Sequence, residues 1–85
     1  MPDVEIYSKT TCPYCIRAKR LLDAKAPGYR EYVVDMGGPD KAAMVQRSGG
    51  RTTVPQIFIG GSHIGGCDDL MALDHTGKLD QLLAV

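Results

Sequence analysis

The segment Thr11-Cys12-Pro13-Tyr14-Cys15 decides how the chain is read. On its N-terminal side, Val4-Glu5-Ile6-Tyr7 has the composition of a short strand, and Ser8-Lys9-Thr10 leads out of it. On its C-terminal side, Pro13 to about Ala26 has helical periodicity. Ala18, Leu21 and Leu22 share one face, and Arg17, Lys19, Arg20 and Asp23 lie off it. Proline fits best at the first helical position, which makes Cys12 the predicted N-cap. Cys15 then falls three residues on, in the first turn and on the same side of the helix. The two sulfurs can therefore meet and close a disulfide with little backbone movement.

Working outward, Pro27-Gly28 stops the helix. Tyr29 to Asp35, with Tyr32, Val33 and Val34, reads as a second strand, broken by Gly37-Gly38-Pro39. Asp40 to Ser48 is a short helix with Pro39 at its entry, and Gly49-Gly50 ends it. Gln56-Ile57-Phe58-Ile59 reads as a central strand. Gly60-Gly61 is a two-residue hairpin turn leading into Ser62-His63-Ile64. After Gly65-Gly66, Cys67 to His75 reads as a helix with Leu70 and Leu73 inward. A last helical turn carries Leu79, Leu82 and Leu83. The order β-α-β-α-β-β-α plus a C-terminal helix is an α/β fold. Its first βαβ unit must be parallel and its hairpin antiparallel. The expectation is a mixed four-stranded sheet with helices on both faces.

With 85 residues, the expectation is one domain spanning residues 1–85. Ten basic and ten acidic residues leave a formal charge near zero, which argues against non-specific nucleic-acid binding. No apolar run approaches the roughly 20 residues that cross a bilayer, so no membrane association is expected. Met1 to Glu5 carries no signal-peptide pattern. The three cysteines, at 12, 15 and 67, are too few for a disulfide-stapled secreted domain. A cytoplasmic monomer is expected.

In a reducing compartment a close cysteine pair is redox-active or metal-binding more often than structural. Thiolates are the nucleophiles, and a thiol of ordinary acidity is only about 3% ionised at pH 7. The helix N-terminus and nearby Lys9 favour the thiolate at Cys12, which suits it to attack and to leave. Cys15, deeper in the helix, suits the resolving role. A Zn or Cu carrier can place the same pair at a helix start. A structural Zn site wants four ligands, however, and only Cys67, His63 and His75 remain to complete one. His63 and His75 are read as surface or turn residues, and Met36, Met44 and Met71 as core and loop filler. No metal site is expected.

Thr11-Cys12-Pro13-Tyr14-Cys15, Thr53-Val54-Pro55 and Gly65-Gly66-Cys67-Asp68-Asp69 stand in the order and spacing of the dithiol glutaredoxins. Over essentially its whole length the chain resembles the short bacterial members. The resemblance implies a thioredoxin-like fold and a glutathione-dependent thiol–disulfide oxidoreductase, with glutathione as co-substrate and no tightly bound cofactor. Its implied protein partners are glutathionylated and disulfide-bonded proteins, ribonucleotide reductase among them. It also implies a cis Val54-Pro55 bond facing the cysteine pair, with Val54 backbone groups open to an extended substrate.

By the same resemblance, Thr53, Val54, Pro55, Gly66, Cys67, Asp68 and Asp69 form the glutathione site. The N–H groups near Cys67 and Asp68 would hold a carboxylate, and the side chains of Asp68 and Asp69 an ammonium group. Lys9 would take the glycyl carboxylate, and Tyr14 would pack at the thiol. Cys67 would line the groove without reacting. Arg47 and Arg51 are weaker cationic candidates, because many glutaredoxins carry Arg directly before Thr-Val-Pro where this chain has Thr52. Two other readings remain. One is a glutaredoxin-like donor reduced by thioredoxin reductase, against which the Lys9, Asp68 and Asp69 charges argue. The other is a non-enzymatic iron–sulfur carrier, against which the stiff Pro13 turn argues.

Overall fold

The computed structural model describes residues 1–84. Strands β1 (Val4–Ser8), β2 (Arg30–Val33), β3 (Gln56–Ile59) and β4 (Ser62–Gly65) form one sheet in the order β2-β1-β3-β4. The β1–β2 pair is parallel and the β1–β3 and β3–β4 pairs antiparallel. The helices are α1 (Pro13–Lys25), α2 (Gly38–Arg47), α3 (Cys67–His75) and α4 (Lys78–Leu83). The expected thioredoxin-like α/β layering is present.

Side chains alternate across the central strands and so divide the core in two. Val4, Ile6, Ile57 and Ile59 face Ala18, Leu22 and Ala26 of the α1 segment, Cys67 and Leu70 of α3, and Leu79 and Leu83 of α4. On the other face Tyr7 and Phe58 pack with Val34 and with Met44 of α2. Full burial of an aliphatic side chain such as Leu22 contributes roughly 1.5–3 kcal/mol.

Several boundaries differ from expectation for local reasons. Strand β2 ends at Val33 rather than Asp35, because the Gly37 N–H bonds the Val34 carbonyl at 3.0 Å and turns the chain there. Helix α2 starts at Gly38 and ends at Arg47, with Pro39 in its first turn and Ser48 as C-cap. Strand β4 runs one residue further, to Gly65, and contains a bulge. Ile57 pairs Gly65 while Phe58 pairs His63, which leaves Ile64 as the extra residue. The hairpin turn is as expected: Gly60 and Gly61 have φ of 57° and 83°, the positive values a type I′ turn requires.

Burial adds one detail in α4 and corrects the readings of Met36 and His63. In α4, Leu79 and Leu83 share the inner face one turn apart, which leaves Leu82 exposed. Met36 fills nothing: it sits in the turn before α2 and is 96% exposed, whereas Met44 is fully buried. His63 is a half-buried strand residue packed on Phe58 with ring centroids 5.1 Å apart, while His75 is exposed.

Candidate active site and glutathione groove

Cys12 is the N-cap of α1, as Pro13 requires, and its Sγ accepts a hydrogen bond from the Cys15 N–H at 3.3 Å. That bond takes one of the unpaired donors of the helix start. Cys12 is half-buried and Cys15 fully buried, and all three cysteines are unpaired thiols. Burial, followed by the hydrogen bond with Cys12, pushes the Cys15 thiol up to about 12. The pair is therefore asymmetric, with one reachable sulfur and one sealed beneath it.

Facing Cys12 is the turn before β3. Val54-Pro55 is cis, and the Val54 carbonyl oxygen lies 4.0 Å from Cys12 Sγ. Beside this turn runs a groove of about 310 Å³ lined by Tyr14, Arg51, Thr53, Val54, Pro55, Gly66, Cys67, Asp68 and Asp69. Elements far apart in sequence thus meet on one surface. Of the expected glutathione-site residues, all but Lys9 line this groove. Lys9 is exposed in the loop before Cys12, where its backbone, not its ammonium group, bonds the Cys15 sulfur.

The second helix start forms the far wall. Asp69 Oδ2 accepts the Gly66 N–H at 2.9 Å, so this carboxylate caps α3 while standing in the groove. The first helical bond here runs from the Leu70 N–H to the Gly66 carbonyl. The N–H groups of Cys67, Asp68 and Asp69 thus have no acceptor within the helix, which suits an anion. Gly65 has φ of 122°, and a β-carbon there would run into the Asp69 carboxylate. Cys67 is buried, and that burial, reinforced by Asp68, raises its thiol above the ordinary range. It lines the groove from a buried position.

The two arginines separate. Arg47 is bound to both Glu5 carboxylate oxygens at 2.9 and 3.1 Å and to the Tyr7 hydroxyl at 2.8 Å, and it lies over the Phe58 ring. It serves the α2 face of the sheet and is withdrawn from the groove. Arg51 lines the groove, with Nη1 3.8 Å from Asp69 Oδ2. The buried Ser48 hydroxyl bonds both the N–H and the carbonyl of Arg51, each at 3.2 Å. Sequence reading ranked Arg51 low because Thr52 displaces it from its usual place. The Ser48 tether on the Arg51 backbone has no sequence signature. Among the described residues no three His, Cys, Asp or Glu side chains come together in a way that could hold a metal ion.

The glutaredoxin family model matches residues 4–64. Glutaredoxin 3 of Escherichia coli (strain K12) is 58% identical over 83 residues, covering 98% of this chain and 99% of that protein. A glutaredoxin of Pseudomonas aeruginosa is 55% identical over 84 residues, covering 99% of each. Among solved structures, the complex of buckwheat glutaredoxin with glutathione superposes with a TM-score of 0.84 at 40% identity, covering 98% of this chain and 77% of that one. With the cysteine pair at a helix start, the cis-proline turn beside it and this agreement over nearly the full length, the chain belongs to the glutaredoxin family.

Proposed function

We propose that in this glutathione-dependent thiol–disulfide oxidoreductase Cys12 is the attacking thiolate, Cys15 the resolving thiol, and the groove from Tyr14 to Asp69 the glutathione site. The observation that carries the division of roles is the accessible Cys12 sulfur at the α1 N-cap above a fully buried Cys15.

On a glutathionylated protein, Cys12 attacks the glutathione sulfur. The protein leaves as a thiolate and takes a proton, and glutathione remains on Cys12 as a mixed disulfide. A second glutathione thiolate attacks the glutathione sulfur of that disulfide, releasing oxidised glutathione and the Cys12 thiolate. On a protein disulfide, Cys12 attacks one sulfur, and Cys15 loses its proton and attacks Cys12. Reduced protein and a Cys12–Cys15 disulfide result, and two glutathiones reduce the latter. In the reduced pair, burial and the hydrogen bond with Cys12 hold the Cys15 thiol protonated. Two of the influences holding Cys15 protonated come from Cys12 itself. Both weaken once Cys12 is in a mixed disulfide, which readies Cys15 when it is needed.

The α3 N–H groups suit the γ-glutamyl carboxylate, and the carboxylates of Asp68 and Asp69 its ammonium group. Arg51 is better placed than Lys9 for an anionic contact at the groove, while Lys9 remains a candidate for the glycyl carboxylate. The reading treats residues 1–85 as one domain acting as a cytoplasmic monomer, with no tightly bound cofactor and with glutathionylated and disulfide-bonded proteins as substrates. No described helix is long and apolar enough to cross a membrane.

The test is a glutathione-coupled assay on a glutathionylated peptide and on a protein disulfide. Cys15→Ser retains the first activity and loses the second, and Cys12→Ser loses both. Loss of both in Cys15→Ser with either retained in Cys12→Ser reverses the roles. A wild-type protein inactive with glutathione but active with thioredoxin reductase overturns the choice of reductant.

A further inference from the structure

Behind the groove, on the α2 side of the sheet, three polar residues form a continuous link to the wall that faces Cys12. Gln56 is the first residue of β3 and is fully buried. Its Nε2 donates to the Thr53 carbonyl at 3.0 Å and to Thr53 Oγ1 at 3.3 Å, and its Oε1 lies 2.7 Å from His63 Nε2. A carbonyl only accepts, so the Gln56 amide must turn its NH₂ toward Thr53. Its oxygen then faces His63, and Nε2 of that ring must carry the proton. The Gly60-Gly61 hairpin makes this possible. By pairing Ile59 with Ser62 and Phe58 with His63, it brings the imidazole onto the face of Gln56 as a diagonal neighbour.

We infer that Gln56 and His63 are positioning residues for glutathione: His63 orients the buried Gln56 amide, and that amide clamps Thr53 and so holds the Thr53-Val54 wall at the right distance from Cys12. The chain of contacts is short. Thr53 lines the groove, and the next residue carries the carbonyl 4.0 Å from Cys12 Sγ. Neither Gln56 nor His63 lines the groove. A buried amide with all its polar atoms paired has one low-energy orientation, whereas removal of His63 leaves Oε1 unpaired and the amide free to turn its oxygen toward the Thr53 carbonyl.

The inference rests on the reading of the groove as a glutathione site, and the test separates the two. In a Cys15→Ser background, the equilibrium between Cys12 and oxidised glutathione, which forms the Cys12–glutathione mixed disulfide and one glutathione, is measured by mass spectrometry. The same exchange is run with 2-hydroxyethyl disulfide, which has no backbone or charged arms to seat in the groove. Gln56→Leu lowers the glutathione constant about tenfold relative to the hydroxyethyl constant, the size expected for one lost buried hydrogen-bond link. His63→Phe, which keeps the ring packing on Phe58, lowers it about three- to fivefold by the same reasoning. The double variant does no worse than Gln56→Leu alone, because both act through one link.

Equal changes with both disulfides, or a double variant whose effects multiply, overturn the clamp while leaving the glutathione site standing. Glutathione exchange no more favourable than hydroxyethyl exchange in the parent overturns the glutathione site and the clamp with it. Readings are taken at a temperature where circular dichroism shows each variant folded. His63→Phe, the milder change, decides the matter should Gln56→Leu not fold.

Discussion

Two helices, α1 and α3, begin beside the same groove, each next to a cysteine, yet the two starts present their sulfurs differently. Cys12 is the N-cap of α1, half-exposed, with its sulfur accepting an N–H of the first turn. Cys67 is the first residue of α3. It is turned into the core beneath the groove, with its thiol pushed up by burial and by Asp68. At α3 the carboxylate of Asp69 caps Gly66, and the N–H groups beyond it remain open to a ligand. A helix N-terminus is thus an offer of positive charge. Whether a thiolate or a bound carboxylate takes it depends on which side chain occupies the N-cap and on where its neighbour points.

The most forceful way to break this contrast is to exchange the sulfurs for oxygen. Cys12→Ser should lower kcat/KM for a glutathionylated peptide by at least about 10³-fold, since a serine hydroxyl is not ionised at neutral pH, while Cys67→Ser stays within about threefold. A comparable loss at Cys67 would end its reading as a groove wall. Alkylation sharpens the contrast next. Reduced protein treated with iodoacetamide at pH 7 should carry one label, at Cys12, with Cys15 and Cys67 reacting about 100-fold more slowly because both are buried and protonated. Peptide mapping reads this directly.

The arginines test the groove from its other side. Arg51→Ala should raise KM for the glutathionylated peptide about fivefold with an unchanged melting temperature, as expected for one exposed charge contact. Arg47→Ala should do the reverse, leaving KM alone and lowering stability by about 1–2 kcal/mol, because it strips Glu5 and Tyr7 of a shared partner. A further test is alkaline. The Cys15 thiol titrates at about 12 in the folded chain against an ordinary 9.0, so between those values unfolding releases a proton that the folded chain keeps. Stability therefore falls as pH rises through that window. Urea midpoints should fall less steeply there in Cys15→Ser than in wild type.

Much of this was legible in the chain itself. Pro13 announced the helix start and with it the separate stations of Cys12 and Cys15. Gly60-Gly61 announced the hairpin, and the alternation in Ile57-Phe58-Ile59 a strand buried on both faces. Arg47 and Arg51 could not be told apart, because both are cations near the same turn. Their difference lies in Glu5 and Tyr7 on another strand and in the Ser48 hydroxyl. The role of Asp69 as a cap inside the groove was likewise hidden, since it depends on a backbone N–H three residues earlier lying within reach.

The sequence by itself determined the order of elements and a close thiol pair at a helix start, because proline, glycine and cysteine act locally and their spacing carries over directly into structure. Only the tertiary structure decided which residues share the groove. It brought Thr53, Val54 and Pro55 opposite Cys12, turned Cys67 inward, withdrew Arg47, and set the His63 ring against the buried Gln56 amide. Those outcomes depend on register and packing between segments distant in the chain, which local preference does not encode.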